Sequence, residues 1–214
     1  MSGRSSELEI PTQDVILRGD LLVPAGARGI VIFAHGSGSS RLSPRNRTVA
    51  SYFREQQLGT LLFDLLTATE ERVDAHSREY RFDILFLTER LVSVTSWLPR
   101  HLGARPALGY FGASTGAAAA LVAAARAPET IRAVVSRGGR PDLAGDALER
   151  VRAPTLLVVG GDDPEVLALN EEARARLQCE NELVVVPGAT HLFEEPGALE
   201  QVAEHAAQWF VRHM

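Results

Sequence analysis

The chain has 214 residues, 45% of them hydrophobic, and a formal net charge of −5. A chain of that length buries a core without disulfide or metal staples, and the acidic balance argues against a nucleic-acid face. A single cysteine, Cys179, excludes internal disulfides, paired-cysteine metal sites and Cys-x-x-Cys redox chemistry. All 22 basic residues are arginine, which excludes Schiff-base chemistry, a Walker lysine and a Ser-Lys dyad.

Residues 1–7 read as a flexible tail without an apolar signal core. The longest small-apolar run, 117–125, is far short of the ~18–20 residues of a membrane helix. A cytoplasmic protein with no membrane partner is the expectation. Runs 8–10 and 15–23, split by Pro11-Thr12-Gln13, read as an antiparallel pair at a sheet edge. Residues 29–34 form a continuous apolar run of buried-strand type, ending in the loop His35-Gly36-Ser37-Gly38-Ser39-Ser40. The pattern then predicts a helix over 48–57, a strand over 60–64 and an irregular polar stretch over 65–79. A long amphipathic helix follows over 82–98 and stops before Pro99. Further strands are predicted at 107–111, 131–136, 155–159 and 183–186, with helices at 117–127, 164–177 and 197–212.

Apolar strands alternating with helices imply a mostly parallel α/β sheet covered on both faces, with 1–214 as a single domain. In such sheets chemistry gathers at the carboxyl ends of the strands. One short helix at most fits between residues 137 and 154, so no large cap domain is expected there.

The stretch Gly112-Ala113-Ser114-Thr115-Gly116 sits between a predicted strand and an alanine-rich helix. Gly-x-Ser-x-Gly in that context fits a nucleophile elbow: the glycines let strand and helix approach, and the helix N-terminus favours developing negative charge. A plain glycine turn with a surface serine is the alternative. Of six histidines, only His191 follows a strand within a free loop; His35 ends a strand beside Gly36 and suits a turn role. Asp162-Asp163 follow the 155–159 strand, where a carboxylate could orient an imidazole or cap the next helix.

The order Ser114, Asp163, His191, together with Gly160-x-x-Asp163-x-x-Val166 and Gly188-x-x-His191, resembles the α/β-hydrolase superfamily. Within it, residues 35–47, 109–116, 136–143 and 187–196 resemble the small, cap-less dienelactone-hydrolase-like group, including hydrolase segments fused to phosphoribosyltransferase domains. Dienelactone hydrolases proper use a cysteine nucleophile, whereas this chain has serine. The resemblance implies Asp163 rather than Asp162 as the acid, and the Ser37 N–H as an oxyanion donor; elbow geometry gives Thr115 the other. It implies no cofactor, and no metal motif occurs. Arg41, Arg45, Arg47, Arg137 and Arg140 cluster on the same side, either as a salt-bridged rim or as a clamp for an anionic substrate. Arg137 and Arg41 are the candidate binding residues.

The expected function is therefore a serine hydrolase of a small carboxylic ester or lactone. The alternatives are the same triad on a thioester, amide or acyl-transfer substrate, and a non-catalytic binding protein of the same fold. The substrate is a small molecule, and the sequence carries no sign of oligomeric state.

Overall fold

Eight strands form one sheet in the order β1-β2-β4-β3-β5-β6-β7-β8. They are β1 (Ser6–Pro11), β2 (Ile16–Leu22), β3 (Gly29–Ala34), β4 (Gly59–Phe63), β5 (Ala107–Ala113), β6 (Ile131–Arg137), β7 (Thr155–Gly160) and β8 (Asn181–Val186). The computed structural model describes residues 6–214. Of the stretch 1–7 expected as a tail, residues 1–5 lie outside the described residues, while Ser6 and Glu7 begin β1. β2 runs antiparallel to both neighbours and every other pairing is parallel. This is the expected architecture, a mostly parallel sheet with an antiparallel N-terminal edge and helices on both faces.

The strands β3, β4 and β7, each flanked by a strand on both sides, are buried throughout, as their apolar sequences require. β8 closes the edge and is half exposed, with Val185 facing solvent. On one face lie α1 (Pro44–Glu55) and α6 (Ala198–His213). There Phe53 packs against Phe33, Phe111 and Phe210 with ring centroids 5.5–5.7 Å apart. The other face carries α3 (Ile84–Leu102), α4 (Thr115–Arg126) and the 3₁₀ segment Pro141–Arg150. α5 (Pro164–Arg176) packs beside that segment. In α4 every residue from Thr115 to Ala124 is buried, and alanine is the side chain small enough to let a helix be enclosed on all sides.

The chain leaves β3 for β4 on one side, then crosses back to enter β5 on the other side of β3. The crevice at such a reversal is where open α/β sheets bind ligands. Here it is bordered by the Ser37 loop and the Ser114 turn.

Three predicted elements differ. The helix expected at 48 starts at Pro44, because Ser43 caps it by accepting from the Asn46 N–H and proline suits the first helical position. α3 runs through Pro99 to Leu102 and stops at Gly103, which adopts a left-handed φ of 62°. Proline removes one bond of the last turn, but Trp97 stacks on His101 across it at 4.4 Å and the helix holds. The stretch 65–79, expected to be irregular, contains α2 (Ala68–Ser77). A capping box starts α2: the Thr67 hydroxyl accepts from the Glu70 N–H, and the Glu70 carboxylate accepts from the Thr67 N–H.

Candidate active site

Ser114 stands between β5 and α4 with φ 50° and ψ −120°, a conformation that costs a non-glycine residue energy and persists only where its surroundings impose it. The surroundings are tight. A Cβ on Gly112 would stand 2.4 Å from the Ala117 Cα, and one on Gly116 would stand 2.2 Å from the Ala34 carbonyl oxygen. Only glycines let α4 start directly against β5 and β3, which lifts the Ser114 side chain out of the sheet. The turn is pinned by the Ser114 N–H donating to the Arg137 carbonyl, and by the Ser114 carbonyl accepting from Arg140 and Ala117.

His191 and Asp163 reach each other across two loops. His191 Nδ1 lies 2.7 Å from Asp163 Oδ2. Because a carboxylate accepts, Nδ1 carries the proton and Nε2 presents a lone pair. Asp163 occupies the N-cap position of α5 yet makes no side-chain cap bond, so its carboxylate is turned to the imidazole instead. Asp162 is exposed, and its backbone N–H donates to the Ala189 carbonyl at 2.9 Å. A Cβ on Gly160 would stand 2.2 Å from that same carbonyl, so the two loops meet only through glycine. Beyond His191, Phe193 adopts φ 56° and is fully buried, which anchors the loop in the core. The His191 ring lies over Gly138, two residues after Ser136 and next to the Arg137 that holds the Ser114 N–H. Among the described residues the Ser114 hydroxyl makes no hydrogen bond to His191.

On the other flank, the Ser37 and Thr115 N–H groups donate to no backbone acceptor among the described residues. Their hydroxyls lie 3.1 Å apart, tying the β3 loop to the elbow. His35 braces that loop from below. Its Nε2 accepts from the Leu65 N–H at 3.0 Å, and its Nδ1 therefore donates to the Gly36 carbonyl at 3.0 Å. Burial holds the imidazole below its ordinary pKa, so it stays neutral. Beside Ser37 and Thr115 opens a cavity of about 260 Å³, walled by Leu65, Leu66, Leu87 and Ala75 and rimmed by Glu71 and Arg81.

The arginines divide. Arg41 pairs with Glu7, Asp20 and Asp64; Arg45 with Glu194; Arg47 with Asp20; and Arg140 with Asp142. The structure thus does not free Arg41 for substrate: its guanidinium ties the loop after β3 to the edge strands. Arg137 alone of the five has no carboxylate partner among the described residues. It is 8% exposed, its Nε and Nη1 have no acceptor, and it lies over the Phe193 ring at 6.0 Å. Burial, with Arg45 nearby, pushes its pKa down to about 10, which leaves it charged at neutral pH. No cluster of three or more His, Cys, Asp or Glu side chains suited to a metal ion occurs among the described residues. Nor is any helix among them long and apolar enough to cross a membrane.

Sequence reasoning does not reach Asp74 and Arg81 at the cavity rim, and it gives His35, which lies beneath, a turn role only. Thr67-x-x-Glu70 is a capping-box spacing and was the available signal for the helix that carries Asp74.

The sequence profile of the dienelactone hydrolase family matches residues 51–213. A dienelactone hydrolase from Anabaena variabilis is 54% identical, with 99% of each chain aligned and a TM-score of 0.97. Est1E from Butyrivibrio proteoclasticus shares the fold at a TM-score of 0.81 over 99% of each chain, with 17% identity. A Mycobacterium tuberculosis protein that bears a phosphoribosyl transferase name is 57% identical over 212 residues. Those residues are 99% of this chain and 47% of that protein, so the chain spans about half the length of this curated relative.

Proposed function

Because the chain belongs to the dienelactone hydrolase family and is an α/β hydrolase, we propose that it cleaves a small carboxylic ester or lactone through Ser114, His191 and Asp163. The observation that carries this reading is the backbone of Ser114, a non-glycine residue at φ 50° and ψ −120° on the turn from β5 to α4.

In this mechanism the Ser114 Oγ attacks the acyl carbon while its proton passes to His191 Nε2. Asp163 holds Nδ1–H, fixing the tautomer and stabilising the imidazolium. The carbonyl oxygen becomes an oxyanion held by the Ser37 and Thr115 N–H groups, with the α4 N-terminus behind it. Collapse breaks the bond to the leaving oxygen, which takes the proton from Nε2. In a lactone that oxygen stays on the same molecule. Water then attacks the acyl-enzyme with His191 again as base, releasing the acid and restoring Ser114.

The leaving oxygen must sit near His191, so the acyl group points the other way, toward the cavity beside Ser37 and Thr115. Its size suits a short acyl chain, and hydrolysis of long-chain esters faster than acetate would count against this placement. Arg137, the unpaired guanidinium on the His191 side, supports an anionic group on the substrate. Replacing it by alanine should raise KM for acidic esters and spare neutral ones; equal effects on both would remove Arg137 from this role.

A fluorophosphonate probe tests the core of the reading. The protein should be labelled once, at Ser114, and Ser114→Ala should abolish both labelling and turnover of p-nitrophenyl acetate. A folded protein that takes no label sinks it.

A further inference from the structure

Helix α2 roofs the cavity, yet apolar burial does not hold it there. It has ten residues, and the single buried one is Asp74; Val73 beside it faces solvent. A helix without a buried apolar stripe needs polar anchors to stay docked. Glu70 supplies one, pairing with Arg90 at 2.7 Å. Asp74, 2% exposed, supplies the other. Its carboxylate accepts from the Tyr80 N–H at 2.9 Å, the Arg81 N–H at 3.1 Å and the Arg81 Nε at 2.6 Å. Its carbonyl accepts from Arg81 Nη2 and from the Arg78 N–H, both at 2.9 Å, as the chain reverses through Arg78 at φ 61°. Burial alone would push the carboxyl up, but these donors outweigh it and hold the pKa below its ordinary value.

Arg81 carries this anchoring to the β3 loop. Its carbonyl accepts from the Ser37 hydroxyl at 3.4 Å, and its Nη1 lies over Gly38, 3.8 Å from where a Cβ would stand. With its one proton donated to Arg81, the Ser37 hydroxyl accepts from Thr115 at 3.1 Å. An unbroken line of contacts thus runs from Asp74 through Arg81 and Ser37 to Thr115.

We propose that Asp74 is a positioning residue for the oxyanion hole, fastening Arg81, which in turn fixes the loop that carries the Ser37 N–H. The inference rests on the reading above for the roles of Ser37 and Thr115. Asp74 touches no reacting atom, since its acceptor positions face the N–H groups of Tyr80 and Arg81. Its effect is on where a donor stands, and a donor displaced by about 1 Å can cost ~100-fold in rate.

The test compares wild type with Asp74→Asn, which keeps the shape but turns an N–H toward donors, and with Arg81→Lys, which keeps the charge but loses the Nε bond. Two readouts are needed: kcat and KM on p-nitrophenyl acetate, and hydrogen exchange of residues 36–40. Asp74→Asn should lower kcat about 10- to 100-fold with KM nearly unchanged, because the oxyanion is absent from the bound ester and develops only on the way to the tetrahedral intermediate. Exchange at 36–40 should quicken while β5 and α4 stay protected, and Arg81→Lys should give a smaller change of the same kind. Should Asp74→Asn fail to fold, Arg81→Lys decides by the same two readouts. Unchanged exchange at 36–40, or a rise in KM with kcat intact, overturns the inference. Wild-type protein that neither hydrolyses esters nor takes a fluorophosphonate sinks the hydrolase reading instead. The exchange result still decides whether Asp74 holds the loop.

Discussion

The two flanks of Ser114 are built by different physics. On the His191 side, β7, β8 and their loops close on one another through backbone contacts too near for any side chain, with Phe193 driven into the core as an anchor. Asp163 there reaches His191 from a helix cap already fixed by β7. On the Ser37 side, the roof over the cavity is a helix attached by ion pairs and a capping box, with an aspartate as its one buried residue. The first flank, closed by backbone contact and a buried phenylalanine, is expected to unfold with the core. The second, with few buried apolar contacts, is expected to open locally. Within the proposed mechanism the division is sensible: proton transfer needs a fixed distance, whereas the acyl side must admit and release substrate.

The largest expected effect lies on the rigid flank. Asp163→Asn preserves shape but lets the amide donate where the imidazole needs an acceptor, which favours the wrong tautomer. Turnover of p-nitrophenyl acetate should fall about ten-thousand-fold with little change in melting temperature. A loss under tenfold would remove Asp163 from the role of orienting His191. Next comes the packing that builds the elbow. Gly116→Ala places a methyl group against the Ala34 carbonyl, a backbone atom that cannot turn aside. It should destabilise the whole domain by about 1–3 kcal/mol or more in urea unfolding, with every probe moving together.

The same division decides what could be read from sequence. The rigid flank was legible because each device leaves a mark on residue types. Glycines flank the serine, a glycine pair precedes Asp162-Asp163, and strands are apolar without interruption. The roof was not legible by periodicity, since α2 has no apolar face to repeat, and an aspartate amid charged residues reads as solvated. Asp74 is buried only because Arg81, seven residues on, folds back over it. Sequence could not choose between a salt-bridged rim and a substrate clamp for Arg41 for the same reason: its partners Glu7, Asp20 and Asp64 come from three separate strand regions, and only the sheet order brings them together. Pro99 misled because a proline in a helix's last turn costs a single bond, which the following glycine-capped turn survives.

A smaller effect separates the flanks directly. Thr67→Ala removes the hydroxyl that caps α2, which should cost about 1 kcal/mol of that helix's local stability. Hydrogen exchange across 68–77 should quicken severalfold while the global unfolding midpoint stays put. A matching fall in the global midpoint would show that the roof is part of the core after all.

The smallest effect is one of pH, and it concerns the joint between the flanks. His35 sits beneath the Ser37 loop, neutral, accepting from Leu65 on the roof side and donating to Gly36. Burial depresses its pKa below the usual 6.5; the Gly36 carbonyl, Asp64 and Glu71 pull the other way without reversing the shift. Below about pH 6.5 the unfolded chain therefore binds a proton at this position that the folded chain refuses. Stability from His35 is complete above that pH and declines as the pH drops through it, until the depressed folded value is reached. Carboxylates such as Asp74, whose ordinary value is 3.8, lose their contribution only at more acid pH. The interval from about pH 6.5 to 5 thus leaves these carboxylates out, and the difference from a variant that does not titrate at this position isolates His35 among the six histidines. His35→Gln can still accept from Leu65 but does not titrate, so its urea midpoint should vary less with pH across that interval than the wild-type midpoint. Parallel curves for the two proteins would show that the imidazole does not couple the Ser37 loop to folding.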